Sequence, residues 1–316
     1  MPLGLRRGTV TSILESRERL VRLEVDEIAC IAYPRLTGEV EVGDDVLVNE
    51  QARLLALGSG GFDVLYANLT RGLGLAPVEG AHVIALPYTP GQVTVRYEEE
   101  TGEPAPTLGG LSGLPVVLCT VHSQVAPVAA ALAGHRVAYI QVQGGALPVS
   151  LSDTVAVLRE RGLLEVTLAV APCLDGEAQF VTTAAALTWT ATQGFEAVLC
   201  AVGPGIVGTG STLGHGALSL AEAANAAIGL GGRPILAVRR SEADGRERHR
   251  GTSHHAEAVL SLCLGEVLAP AAEDGEGWER ACAGLPLSHM GRGPEDDPIF
   301  FRSAYSAGLA ARRLLA

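Results

Sequence analysis

Hydrophobic and polar positions alternate in short runs along the N-terminal third of the chain. Many of these runs are β-branched, and turn residues such as Gly38 and Gly43–Asp44 separate them. The runs lie at residues 10–14, 20–25, 28–32, 45–49, 53–57, 63–67, 82–86 and 92–97. Short strands that recur about every 8–12 residues predict a small antiparallel β-barrel or sandwich.

A different rhythm follows an acidic, Pro- and Gly-rich stretch at residues 98–113, which we interpret as a linker. Longer apolar runs recur beyond it, and helix-forming segments separate most of them. The runs lie at residues 115–121, 136–142, 165–171, 196–202, 234–238 and 265–269. A spacing of roughly 30 residues fits a strand, a crossover helix and two loops. The pattern therefore predicts an α/β domain with a three-layer, mostly parallel, Rossmann-like sheet.

Capping residues mark several predicted helices. Ser219 and Glu222 have the spacing of a capping box, and Thr252 or Ser253 can cap a helix over 254–264. The predicted organisation is a β-barrel-like domain at 1–97, a linker at 98–113, an α/β domain at 114–297 and a C-terminal helix at 298–316.

Composition narrows the function classes. The net charge is −12, which disfavours nucleic-acid binding. No apolar run approaches the ~18 residues of a membrane span, and none of the six cysteines forms a CxxC pair. Every basic residue is Arg, so Schiff-base chemistry and the P-loop lysine are excluded. We expect a cytoplasmic protein with no membrane or nucleic-acid partner.

Polar and glycine residues gather after the predicted strands, where parallel sheets bind ligands. Gly203, Gly205 and Gly208 spell G-x-G-x-x-G, but no helix opens directly on this loop and no acidic residue ends the next strand. A dinucleotide site is therefore disfavoured. We expect the backbone around Gly203, Gly205, Gly208, Thr209 and Gly210 to approach an anion. The alternative is a long loop that needs glycine only for its turns.

An arginine-rich loop follows the fifth predicted strand of this domain. Arg240, Arg248 and Arg250 are predicted to neutralise an anionic ligand. The alternative is a solvated loop whose arginines pair with its own acidic residues.

The segment Ser253–His254–His255 is the strongest candidate for binding or proton transfer. A helix N-terminus disfavours imidazolium, so neutral histidine is expected there. Adjacent helical residues point about 100° apart, so we expect only one of the two histidines to face the strand ends. His122 and Asp175 are predicted to complete the far wall. The alternative is a simple helix cap.

A metal site is a further alternative. His122, His215, and His254 or His255 could converge with Asp175 or Glu177. No ligand spacing such as H-E-x-x-H occurs, so we assign no metal ligand and leave the cofactor unknown.

Three segments together resemble a known bacterial family. They are Val202–Gly216, Gly232–Pro234 and the run His249–His255, and the N-terminal stretches 42–49 and 57–62 fit the same pattern. The sequence is similar to the family called DUF3866, a domain of unknown function. The resemblance implies no activity and no catalytic residues.

These observations favour an enzyme, a hydrolase or a transferase, or a binding protein for a phosphorylated or carboxylated small molecule. The site is expected at the carboxyl ends of the strands, roofed by the glycine-rich loop at 58–61. The alternatives are a nonenzymatic protein that binds a partner through the barrel, or a metal-dependent hydrolase. A homodimer is compatible with each of these functions.

Overall fold

The computed structural model describes residues 3–56, 60–100 and 110–316. The chain divides into two compact units, Met1–Arg96 and Tyr97–Ala316. The predicted combination of a barrel with a parallel α/β sheet is confirmed. The predicted linker begins with a 3-10 turn at Glu98–Glu100, and its residues 101–109 lie outside the described part of the chain, as do residues 58 and 59 of the predicted roof loop.

The first unit is built around a closed five-stranded barrel in the order β1-β2-β3-β5-β4. The strands are β1 (Leu5–Ser16), β2 (Val21–Val25), β3 (Ile28–Ala32), β4 (Asp45–Asn49) and β5 (Asp63–Asn68). Alternate aliphatic side chains, such as Val10, Leu23 and Val46, fill its interior. An odd number of strands cannot close with antiparallel neighbours throughout. The β3–β5 ladder is accordingly parallel, whereas the sequence predicted antiparallel pairing.

One predicted strand of this unit is wrong, and two others are confirmed but lie outside the barrel. The predicted strand at 53–57 is wrong: residues Gln51–Leu54 form a short helix, α2, after the earlier helix α1 (Pro34–Thr37). The Asn49 side chain accepts a hydrogen bond from the Gln51 amide at 3.0 Å and turns the chain there. Strands β6 (Val83–Ala85) and β7 (Val93–Val95) pair with each other in a separate hairpin.

The second unit contains a six-stranded parallel sheet in the order β11-β10-β9-β12-β8-β13. The strands are β8 (Pro115–Cys119), β9 (Val137–Val142), β10 (Val166–Val170), β11 (Ala178–Phe180), β12 (Ala197–Val202) and β13 (Arg233–Ala237). Five of the six predicted strands are confirmed. The sixth, at 265–269, is wrong, because Leu268 makes only a single bridge to Ile235 and Pro270, which has no N–H, follows two residues later.

Helices cover both faces of this sheet, and two apolar clusters lie on its opposite sides. The helices of this unit are α3 (Val125–Ala131), α4 (Asp153–Glu160), α5 (Thr183–Thr192), α6 (Ser219–Gly229), α7 (His254–Ser261), α8 (Trp278–Ala281) and α9 (Pro298–Arg313). The predicted capping box of α6 is wrong. A 3-10 turn at Gly216–Leu218 runs directly into the helix, so Ser219 already lies in its first turn.

Helix α9 buries most of its length in the second unit. A side chain at Gly308 would lie 2.5 Å from the Ala131 Cβ, so glycine lets α9 pack closely on α3. Among the described residues, no helix combines the length and the apolarity that a membrane crossing requires.

Candidate functional site

The sheet order brings three loops together at the carboxyl ends of neighbouring strands. Strand β8 lies between β12 and β13, so the segments that follow these three strands share one edge of the sheet. The glycine loop follows β12, and the arginine-rich loop follows β13. A cavity of about 460 Å³ lined by Arg233, Glu266 and Leu314 lies instead at the amino-terminal end of β13, away from these loops.

The arginine-rich loop is a folded hairpin built around one buried carboxylate. Strands β14 (Arg240–Ser241) and β15 (Gly251–Thr252) pair in antiparallel fashion, and Asp244 lies between them with 1% of its surface exposed. Three guanidinium groups surround Asp244: those of Arg239 at 3.3 Å, Arg246 at 2.9 Å and Arg292 at 3.4 Å. Burial alone would raise the pKa of Asp244, but hydrogen bonds from Arg246 and the charge of Arg239 hold it well below its usual range.

Arg239 is the most deeply buried of these guanidinium groups. Its exposed fraction is 2%, and its Nε has no hydrogen-bond partner among the described residues. Burial, and then the charge of Arg246, lower the pKa of Arg239 to about 10, which leaves it protonated at neutral pH. Its Nη1 lies 3.3 Å from Nδ1 of His255.

Four histidines lie beside this guanidinium group. The rings of His215 and His255 stack with 4.0 Å between centroids, and His254 lies 4.5 Å from His255 and 5.3 Å from His215. The His249 ring lies 4.9 Å from both His254 and His255. We call these side chains together the arginine–histidine cluster. Its members are Arg239, Asp244, Arg246, Arg292, His215, His249, His254 and His255.

The surroundings keep these imidazoles neutral. Burial, with the charge of Arg239, lowers the pKa of His249 to about 3, and burial together with His215 lowers that of His255 to about 2. The pKa values of His215 and His254 are also lowered, again first by burial, although the Thr212 backbone opposes the shift at His215. Neutral imidazole can donate a proton, accept a hydrogen bond or bind a metal ion.

The expectation that His254 and His255 diverge is wrong. They occupy the first two positions of α7, and their ring centroids are only 4.5 Å apart. Both rings therefore reach the same cluster, together with His215.

Ser253 is the N-cap of α7. Its Oγ accepts a hydrogen bond from the His255 amide at 3.3 Å and lies 2.7 Å from Nδ1 of His249. The side chain is fully buried. The hydroxyl thus pairs with His249 rather than with His254, and it fixes both the helix end and the orientation of a histidine.

His122 and Asp175, the predicted far wall, follow β8 and β10. His122 follows β8, but its Nε2 lies 2.6 Å from Ser152 Oγ and its Nδ1 lies 3.3 Å from the Val202 carbonyl, so both nitrogens have partners. Burial lowers the pKa of His122 to about 4. Asp175 follows β10, which β9 separates from β12. Glu177 pairs with Arg159 on that same side of the sheet. Asp175 is thus two strands away from the glycine loop, and the His122 nitrogens are engaged by Ser152 and Val202.

The glycine loop forms a hairpin that positions His215. Gly208 pairs with His215 in an isolated antiparallel bridge, and the Thr209 amide donates to the Gly214 carbonyl at 2.7 Å. Gly203 packs against the backbone of Ala146, where a Cβ would collide. Gly205 has a φ of 66°, and Gly210 lies in open space near the exposed tip. At Gly203 and Gly205, glycine is thus required by the path of the chain itself.

The other predicted arginines lie on the surface of the hairpin. Arg240 comes within 4.0 Å of Glu273. Arg248 and Arg250 are exposed, and the charge of Arg248 contributes to the lowered pKa of His254. Arg248 is therefore near the cluster, at its solvent side.

Sequence interpretation missed several residues of this region. His289, Arg292 and Asp297 come from an irregular segment with no hydrophobic period. His289 stacks on Phe300, and its Nδ1 lies 2.9 Å from Ser123 Oγ. Asp297 accepts a hydrogen bond from Ser241 Oγ at 2.5 Å and anchors the start of the hairpin. The only signal for these residues in the sequence was that arginines outnumber acids in the 239–250 loop, so that the loop does not balance its own charge.

Residues 29–276, well over half of the chain, match the family model described as a protein of unknown function (DUF3866). No curated protein shows significant similarity to the chain.

Proposed function

The chain belongs to the DUF3866 family, and we propose from the geometry of its site that the arginine–histidine cluster binds an anionic small molecule carrying a phosphate or a carboxylate group. The observation that carries the proposal is the excess of positive charge around Asp244. Arg239, Arg246 and Arg292 share that one buried carboxylate. Asp297 adds a second acid at 3.5 Å, but only to Arg292.

Burying a charge without compensation is expensive, so a cationic excess that includes the buried Arg239 is most stable with an anion beside it. The Nε of Arg239 offers a donor without a partner in the described part of the chain. A guanidinium fork presents its N–H groups in the geometry that phosphate and carboxylate accept. Arg248 and Arg250 place further positive charge at the solvent side, where it would attract an incoming anion.

Neutral histidines beside the anion favour a chemical role for the protein. Imidazole can carry a proton during bond cleavage or bind a metal ion that polarises the ligand. We propose hydrolysis or group transfer as the reaction class. Partner binding through the barrel and a homodimer stay predictions from the sequence.

Thermal unfolding of the chelator-treated protein tests the proposal. The panel contains inorganic phosphate, a sugar phosphate, a nucleotide and citrate. A ligand at 100 times its dissociation constant should stabilise the folded protein by about 2.7 kcal/mol, which is a readable shift in Tm. The proposal is wrong if no anion stabilises the protein.

The chain offers a matched control for the site variant. Arg246→Gln removes a guanidinium that is 39% exposed and pairs with a carboxylate that is 2% exposed. Arg71→Gln, in the barrel unit, removes one that is 36% exposed and pairs with Asp44, also 2% exposed. We expect Arg246→Gln to weaken anion binding and Arg71→Gln to leave it unchanged. An equal response of both variants would place the anion elsewhere.

A further inference from the structure

Three histidines of the arginine–histidine cluster converge from two separate segments. His215 lies at the base of the glycine hairpin after β12, and His254 and His255 begin α7 after β13. One ring nitrogen from each lies within 4.8 Å of the other two. Among the described residues, no other group of three or more histidines, cysteines and acids meets this criterion.

Three ring nitrogens of this group are buried without a well-formed hydrogen bond in the described part of the chain. They are both nitrogens of His215 and Nε2 of His254; the Thr212 backbone lies near the His215 ring but does not complete a hydrogen bond of good geometry. His215 itself is only 6% exposed. A buried polar atom without a partner is destabilising, so three of them at one point call for a ligand.

The donor set suits a transition-metal ion. Neutral imidazole keeps the lone pair that binds zinc and related ions, and three protein ligands with one open position are the arrangement of hydrolytic zinc sites. Nitrogen ligands of one tetrahedral zinc ion lie roughly 3.3 Å apart. The three rings would therefore have to close on the ion, and they can do so because the His254 side chain is only partly buried.

Arg239 opposes the metal. Its guanidinium can only donate, so His255 Nδ1 accepts in the contact at 3.3 Å and the proton lies on Nε2. A metal at Nε2 would need that proton moved to Nδ1, and a metal at Nδ1 would need Arg239 displaced. Either route breaks the contact. Arg239 can then keep its pairing with Asp244.

We propose that His215, His254 and His255 form a binding site for a divalent first-row transition-metal ion, with zinc as the first candidate and one coordination position open. The assignment rests on the proposed function, since it names the metal with which the anion site would act. Because the Arg239 guanidinium lies 3.3 Å from His255 Nδ1, an anionic ligand of the ion would lie beside a positive charge. This combination narrows the reaction class to metal-assisted hydrolysis.

Metal binding is measured directly on the full-length, tag-free protein after chelator treatment. Titration with Co²⁺ should give the visible absorption of a tetrahedral nitrogen site, and calorimetry with Zn²⁺ should give one ion per chain. We expect His215→Ala and His254→Gln each to weaken Zn²⁺ binding by more than the roughly 10- to 100-fold that loss of an outer contact costs. Unchanged affinity in both variants, or no binding by the wild-type protein, overturns the proposal.

His135→Ala is the matched control, because His135 pairs with Glu196 and has no part in the cluster. It should bind Zn²⁺ like the wild-type protein. Thermal unfolding of each variant reports whether it is folded. If His215→Ala does not fold, His254→Gln still decides the outcome. The His254 side chain is more exposed than that of His215, so its replacement disturbs the fold less.

Arg239→Gln separates this proposal from the proposed function. The variant removes a positive charge and the competing donor, so Zn²⁺ should bind more tightly while phosphate binds more weakly to the chelator-treated protein. Phosphate binding without any Zn²⁺ binding would leave the anion site standing and reject the metal. Zn²⁺ binding that depends on the three histidines, with no response to any anion, would support the metal site and reject the anion site.

Discussion

Each unit of the protein buries an aspartate among arginines, and the two clusters differ in charge balance. In the barrel, Asp63 contacts Arg6 at 3.1 Å and Arg53 at 2.7 Å. Arg6 also pairs with Asp26, and Arg53 with Glu50, so three carboxylates serve two guanidinium groups. Around Asp244 three guanidinium groups share two carboxylates. The second carboxylate, Asp297, pairs with Arg292 and not with Arg239 or Arg246.

The difference indicates what each cluster does. In the barrel cluster the carboxylates outnumber the guanidinium groups, and their ion pairs tie β1, α2 and β5 together, which is a structural task. The arginine–histidine cluster has more guanidinium groups than carboxylates, and it contains buried nitrogens without partners. A buried arginine is therefore evidence of a site only when the acids near it are too few.

The largest contrast should appear on acidification. Seven of the eight histidines belong to the second unit, and six of them have a lowered pKa: His122, His215, His249, His254, His255 and His289. Below about pH 6.5 these histidines bind protons in the unfolded chain but stay neutral in the folded chain. The free energy of unfolding therefore falls as the pH falls. Each strongly shifted histidine contributes about 1.4 kcal/mol per pH unit.

Both tryptophans, Trp189 and Trp278, lie in the second unit and report its unfolding by fluorescence. Urea unfolding at several pH values between 7.5 and 4.5 should show a steep loss of stability. A transition that stays constant over this range would mean that these imidazoles are not held neutral. The barrel unit, whose one histidine is His82, should lose stability only as its carboxylates protonate at lower pH.

A smaller effect is expected when each central aspartate is neutralised. Asp244→Asn leaves a buried cationic group with too little compensation and should destabilise the protein by about 3–5 kcal/mol. Asp63→Asn should cost less, because Arg6 and Arg53 keep Asp26 and Glu50. Added phosphate should restore stability to Asp244→Asn alone. Equal losses with no phosphate response would remove the distinction between the two clusters. Chemical unfolding with and without phosphate measures both.

The smallest effect compares two serine caps that each contact a histidine. Ser152 caps α4 and contacts His122, and Ser253 caps α7 and contacts His249. Replacement of either by alanine should cost about 1 kcal/mol from loss of the cap. Only Ser253→Ala should also weaken phosphate binding, since it frees His249 inside the cluster. Thermal shifts with phosphate decide this, and a similar weakening in Ser152→Ala would contradict it.

Most of the fold could be predicted because strong apolar runs mark its strands. The three-residue strand β11 has too short a pattern to stand out, and the apolar run at 265–269 makes only one bridge to β13, which is too short to form a strand. The parallel β3–β5 ladder follows from closing an odd number of strands, which no local pattern encodes.

The candidate site was only partly predictable. The Ser253–His255 segment and the arginine loop are contiguous in the sequence, so their proximity was evident. His289 and Arg292 reach the region from an irregular segment, by contacts that depend on where α9 begins. The expected divergence of His254 and His255 failed because His215, which contacts both rings, comes from the distant glycine loop, and no local pattern encodes that contact.

The glycine hairpin has a further consequence for variation among related chains. At its base, Gly216 and Gly144 approach so closely that a side chain on either would collide with the other backbone. Its tip, between Thr209 and Leu213, is exposed. Residues could therefore be inserted at the tip, or the chain cut there, without displacing His215. Length differences should be tolerated at the tip and excluded at the base.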